Sequence, residues 1–223
     1  MARLPRIVLP GLPHHAGRPA EYPRPMQHWD TLCGFVEGDE VHVARRAEDR
    51  AALSLFGATP VWLDYIEHSY LERPDWIGPD ATVDELEATV RGLDPSAVFM
   101  PFGLANPDHD ATHDACMEMR ARVSPTPGDG PSWFCYEDTG YKHIPGMLAW
   151  RVAKLFRAGM WPTPAAVPIV VDHERKLAAY ASYPSQVRAL EAEWNLGPKL
   201  AAPAPEQYWR LAPPPPGWDA MRA

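Results

Sequence analysis

Three cysteines in 223 residues (Cys33, Cys116 and Cys135) are too few and too widely spaced for a Cys-x-x-Cys metal pair or a disulfide framework, and they suit a reducing cytoplasm. Positive charge is also short: 21 Lys+Arg against 29 Asp+Glu leaves a net charge of −8. A chain that acidic has no field with which to gather phosphate backbones, which argues against nucleic acid as a partner. Long apolar runs are missing as well. The apolar stretch at residues 7–9 stops at Pro10, too soon for the core of a signal peptide. No other stretch approaches the ~18 apolar residues of a membrane span. The expectation is a cytoplasmic protein without a membrane span, its oligomeric state open.

What is present is ordinary globular material, 46% hydrophobic and 22% charged, with an unusual amount of proline, 27 residues. With 15 glycines, Pro and Gly total 42 of 223, about 19%, below the ~25–30% of low-complexity chains. These numbers describe a folded domain with stiff loops, read as a single domain over 1–223. In it, residues 200–223 form a Pro/Trp-rich C-terminal wrap, because Tyr208, Trp209 and Trp218 favour burial. The run Pro213 to Pro216 has a rival reading as a ligand for a proline-recognising partner.

Along the chain, residues 6–9, 60–63, 97–100 and 133–136 read as short strands, and 166–171 is β-rich. Residues 44–56, 84–93, 108–123 and 146–158 read as helices, the second opened by Thr82 and Glu85 as a capping box. A long helix over 173–195 should break at Pro184. Strands alternating with helices predict an α/β fold with a mostly parallel sheet, whose ligands lie beyond the carboxyl ends of the strands.

Two segments could carry chemistry. Residues 102–113 (FGLANPDHDATH) follow the third strand and open a helix; His109 and His113 are i, i+4 and share one face. That spacing can present two imidazoles to one metal, or can simply be a capped helix with two partly exposed histidines. Residues 136–143 (YEDTGYKH) follow the next strand and read either as the wall of a polar cleft or as a hydrogen-bonded loop.

The stretches RRAEDRAALSLFGA (45–58), GLANPDHDATHDA (103–115), FCYEDTGYKH (134–143) and KLAAYASYPSQVRAL (176–190), in this order, resemble landmarks of the LmbE/PIG-L zinc-dependent N-deacetylases. The opening residues 7–13, with Trp29, Asp30, Cys33 and Phe35, are similar to that family's second strand and the segment after it. The resemblance implies a Rossmann-like, three-layer α/β fold, Zn²⁺ as cofactor, and an acetylated amino sugar or glycoside as small-molecule substrate. By the same resemblance His109 is a metal ligand and Asp108 the acid before it, while Asn106 stands where the family has a histidine of its catalytic motif. Asparagine can donate a hydrogen bond but delivers no proton. Arg45 and Glu48 correspond to an R-x-x-E motif beside the substrate, and Tyr136, Asp138 and Tyr141 complete the implied sugar-facing set. An alternative for Arg45 and Glu48 is a surface ion pair at i, i+3.

The family's HPDD-type motif, source of two further metal ligands and the general base, is not found. His14 and His15 follow a strand and a proline as it would, but Ala16 and Gly17 replace the carboxylates. The sequence therefore predicts a fold incomplete at its N-terminus and an impaired hydrolase. The alternative is a non-catalytic sugar-binding pseudoenzyme.

Overall fold

The computed structural model describes residues 7–8, 17–72, 79–126, 128–166, 172–201, 203–213 and 217. His14 and His15, most of the β-rich stretch 166–171, Trp76, Pro214 to Pro216 and Trp218 lie outside the described residues. The chain forms two compact units. One is Met1–Gly11, Ile77–Pro168 and Gln207–Ala223, and the other is Leu12–Trp76 and Ile169–Glu206.

The first unit is built on a five-stranded sheet. Its strands are β1 (Ile7–Val8), β2 (Ala97–Pro101), β3 (Ser132–Tyr136), β4 (Trp161–Ala165) and β5 (Tyr208–Ala212), in the order β1-β2-β3-β5-β4. The pairs β1/β2 and β2/β3 are parallel, whereas β5 runs antiparallel to both β3 and β4. Val98, Phe99 and Met100 of β2 are all buried, the continuous apolar run of a strand covered on both faces. Among the described residues this unit holds three α-helices, α3 (Pro79–Leu93), α4 (Pro107–Val123) and α5 (Met147–Arg157), and a 3-10 turn at Tyr141–His143. Helix α3 packs on α4 through Val83, Leu86 and Val90, one stripe at i, i+3, i+7. Full burial of each such side chain contributes ~1.5–3 kcal/mol.

Several expectations change here. Helix α3 already includes Pro79, a residue suited to a first turn, so Thr82 is a buried position inside the helix and not its cap. Residues 60–63 form no strand; only Asp64 makes an isolated bridge, and Pro60 has no N–H to give a ladder. Strand β4, sequence WPTPA, was not expected as a strand. Its prolines sit two residues apart, so both missing donors fall on one side, and β4 lies at the edge of the sheet. The C-terminal segment contributes an interior strand, β5. Tyr208 meets Phe99 edge-on at 5.1 Å, Trp209 meets Phe102 at 5.6 Å, and the Trp209 indole N–H donates to Glu137 at 3.0 Å.

The second unit is helical: α1 (His28–Cys33), α2 (Val41–Ser54), α6 (His173–Ala181), α7 (Pro184–Trp194) and α8 (Leu196–Ala201). Trp29, Asp30 and Cys33 thus lie on a helix, not beside a strand, and α1 packs on α7. The break at Pro184 is present: α6 ends at Ala181 and α7 begins with Pro184 in its first turn. No helix among the described residues is long and apolar enough to cross a membrane.

Candidate active site

In the first unit the backbone leaves β2 through Phe102-Gly-Leu-Ala-Asn and enters α4. Asn106 is the N-cap, its side-chain oxygen accepting from the Asp108 N–H at 2.8 Å, and Pro107 opens the helix. This places His109 in the first turn, at the carboxyl end of a parallel strand. The loop needs Gly103: at φ 75° a Cβ there would stand 2.8 Å from His113 Cβ and 2.9 Å from the His109 carbonyl.

Asp138, just past β3, binds this loop. Its carboxylate accepts the Leu104 N–H at 3.2 Å on one oxygen and meets His109 Nδ1 at 2.5 Å on the other. The Asp138 side chain is fully buried, while that of His109 keeps 13% of its surface. Among the described residues nothing bonds His109 Nε2, nor is that atom one of the buried unpartnered polar atoms. Among the described residues the imidazole thus has a partner at Nδ1 and none at Nε2. Tyr141 packs edge-on against the ring at 5.3 Å, and its hydroxyl accepts from Asn106 Nδ2 at 3.2 Å. The structure thus brings Asn106, Asp108, His109, Asp138 and Tyr141 into one constellation. Asn106 spends both ends of its amide on structure, one as helix cap and one on Tyr141.

Tyr136 ends β3, and its phenol is pushed well above its usual range by burial first and by the Asp138 charge second. His113 is buried and donates Nδ1 to the Pro101 carbonyl at 2.8 Å, so it ties α4 to β2. Burial also lowers its pKa and favours the neutral ring. Sequence reasoning missed Arg151. It is 1% exposed, and it donates to the Gly103 carbonyl and to Asp110 at 2.5 Å. Helix α5 also carries Lys154 and Arg157 in its last turn, so nothing local in the sequence sets Arg151 apart.

Arg45 and Glu48 belong to the second unit. Arg45 pairs not with Glu48 but with Asp30 at 2.7 Å and Glu67 at 3.0 Å, and Tyr70 donates to Asp30 at 2.7 Å. Burial opposes the Arg45 charge, yet Glu67, Tyr70 and Asp30 outweigh it and raise its pKa. Glu48 accepts from the Ser185 N–H at 2.8 Å and its hydroxyl at 2.7 Å, capping the first turn of α7. Next to Arg45, His42 is buried and bonded through Nδ1 to the Tyr22 hydroxyl at 3.2 Å. Its pKa is lowered to about 4 by burial, helped by Arg45 and Arg46.

Zinc is the cofactor the sequence resemblance implies, and a catalytic zinc takes about three protein ligands plus a water. Among the described residues no three His, Cys, Asp or Glu side chains converge to hold a metal. Around His109 the neighbouring donors are committed elsewhere: Asp138 to Nδ1 and Leu104, Asn106 to the helix cap. The described residues do not fit a zinc centre.

No protein-family model and no curated sequence matches the chain. Solved structures do. A triple mutant of a deacetylase of the teicoplanin biosynthetic pathway aligns at TM-score 0.71 and 21% identity, covering 94% of this chain and 86% of that one. A deacetylase of an antimicrobial pseudoaglycone aligns at TM-score 0.67 and 24% identity, covering 89% and 82%. The zinc-inhibited form of a teicoplanin deacetylase gives 0.67 and 20%, covering 94% and 88%. At these identities the likeness establishes architecture: the chain has the LmbE-like deacetylase fold.

Proposed function

We propose that the chain is an N-deacylating hydrolase of an acylated amino sugar or glycoside, with its chemistry centred on His109. The observation that carries this reading is the carboxylate-anchored imidazole at the carboxyl end of β2, in a fold shared with proteins named as deacetylases. An imidazole held this way takes a proton at Nε2 from a water attacking the amide carbonyl. It then returns that proton to the leaving amine, while the buried carboxylate stabilises the cation formed in between. Acid–base help of this kind is worth ~10²–10⁴-fold, so turnover is slow. Three free, buried cysteines fit a cytoplasmic setting. The test is acetate release from a panel of N-acetylated amino sugars and glycosides by wild type and His109→Ala. Saturable release lost in the variant supports the reading, and release equal in both overturns it.

A second reading, a sugar-binding protein without turnover, is favoured by Asn106. Its amide carries no transferable proton and is already committed on both sides. Calorimetric binding of an acetylated amino sugar that persists in chelator, with no acetate released, selects this reading over the first.

A further inference from the structure

We propose that Asp138 is a positioning residue that fixes the tautomer of His109, holding the proton on Nδ1 so that Nε2 presents a lone pair to a bound ligand. The inference rests on the reading of His109 as the reacting group only for what Nε2 is used for; the tautomer itself is a property of the protein alone.

The two oxygens of Asp138 face two different groups. Leu104 offers a backbone N–H, which can only donate, so the oxygen it meets at 3.2 Å is an acceptor. The other oxygen stands 2.5 Å from His109 Nδ1. An ionised carboxylate is acceptor-only, so a carboxylate that accepts at both oxygens requires Nδ1 to carry the ring proton. The alternative puts a proton on the second oxygen, makes Asp138 the donor to the Nδ1 lone pair and moves the ring proton to Nε2, which then has no lone pair to offer.

Surrounding contacts keep this geometry from relaxing. The Asp138 side chain is wholly buried, so no bulk water competes for it. Its backbone carbonyl accepts the Lys142 N–H at 3.0 Å, which begins the turn that carries Tyr141. The Tyr141 ring then closes on the imidazole at an interplanar angle of 89°. One residue thus sets the β2–α4 loop through Leu104, the ring through Nδ1, and the turn that abuts the ring. No family motif is needed to see this; it follows from two hydrogen bonds and the burial of one carboxylate. Such outer carboxylates orient imidazoles generally, whether the far nitrogen serves a ligand or a proton transfer.

Asp138→Asn separates orientation from support. An asparagine keeps one oxygen for the Leu104 N–H but turns an NH₂ toward Nδ1, which forces the ring proton to Nε2. The experiment is a long-range ¹H–¹⁵N correlation spectrum of histidine-labelled protein without ligand, in wild type and in Asp138→Asn, with His109 assigned by His109→Gln. The expected result is a protonated Nδ1 and a bare Nε2 in wild type, and the reverse in Asp138→Asn. A protonated Nε2 in wild type overturns the proposal, and that measurement stands even if the variant fails to fold. An unchanged tautomer in a folded Asp138→Asn overturns it too. Absence of acetate release from a protein with the expected tautomer would refute the hydrolase reading and leave the positioning role intact.

Discussion

Arg151 on α5, 1% exposed, reaches Asp110 on α4, its guanidinium 2.5 Å from the carboxylate. The same guanidinium nitrogen donates to the Gly103 carbonyl. Hydrogen bonds involving a charged group contribute ~1.5–3 kcal/mol each. Arg151→Met keeps the buried chain but removes both bonds, and it should lower unfolding stability by about 3 kcal/mol, read from the urea midpoint at constant m.

Gly103 itself should tolerate no side chain. Its left-handed φ and the 2.8 Å approach of His113 Cβ leave a Cβ with nowhere to go. Gly103→Ala is expected to cost ~1–3 kcal/mol and to shift the His109 resonances, because the His109 carbonyl is the next atom it would meet. A stable variant with unchanged His109 signals would contradict this account of the loop.

How much of this was legible beforehand follows from range. Strand β2 and the helix after it read well because their cues are local: an apolar run at 97–100, then a helix expected over 108–123 that the structure begins one residue earlier, at Pro107. The Asp138–His109 pair spans 29 residues and obeys no helical or strand period, so the sequence could nominate both residues without showing that they bind each other. Arg45 gave an i, i+3 pattern with Glu48, and the structure instead connects it to Asp30 and Glu67, 15 and 22 residues away. Strand β4 was hidden by its prolines, which read locally as a loop and are explained only by an edge position in the assembled sheet.

Asp30 anchors the second unit. It is 1% exposed and receives both Arg45 and Tyr70. Removing one partner of a buried ion pair strands the other, at a cost of ~3–5 kcal/mol. Asp30→Ala should therefore be far more destabilising than Glu48→Ala, which loses the cap on α7 and about 1 kcal/mol. Equal effects in chemical denaturation would contradict the network.

His42 should make stability fall in acid. Its folded pKa, about 4, lies below the ordinary imidazole value of 6.5, so between those values the unfolded chain binds a proton that the folded one refuses. Stability from this group is complete above pH 6.5 and declines as pH drops toward 4, by roughly 3 kcal/mol. The groups facing it are Tyr22, Tyr70, Arg45 and Arg46. His42→Leu should flatten this part of the pH profile of the urea midpoint. An unchanged slope would place the effect elsewhere.

The most direct test of the account is to titrate an N-acetylated amino sugar into histidine-labelled protein and follow His109 among the nine histidines. The account predicts a saturable shift concentrated at His109 Nε2, with His42 and His113 unmoved. Saturable binding that leaves the His109 ring unperturbed would contradict it.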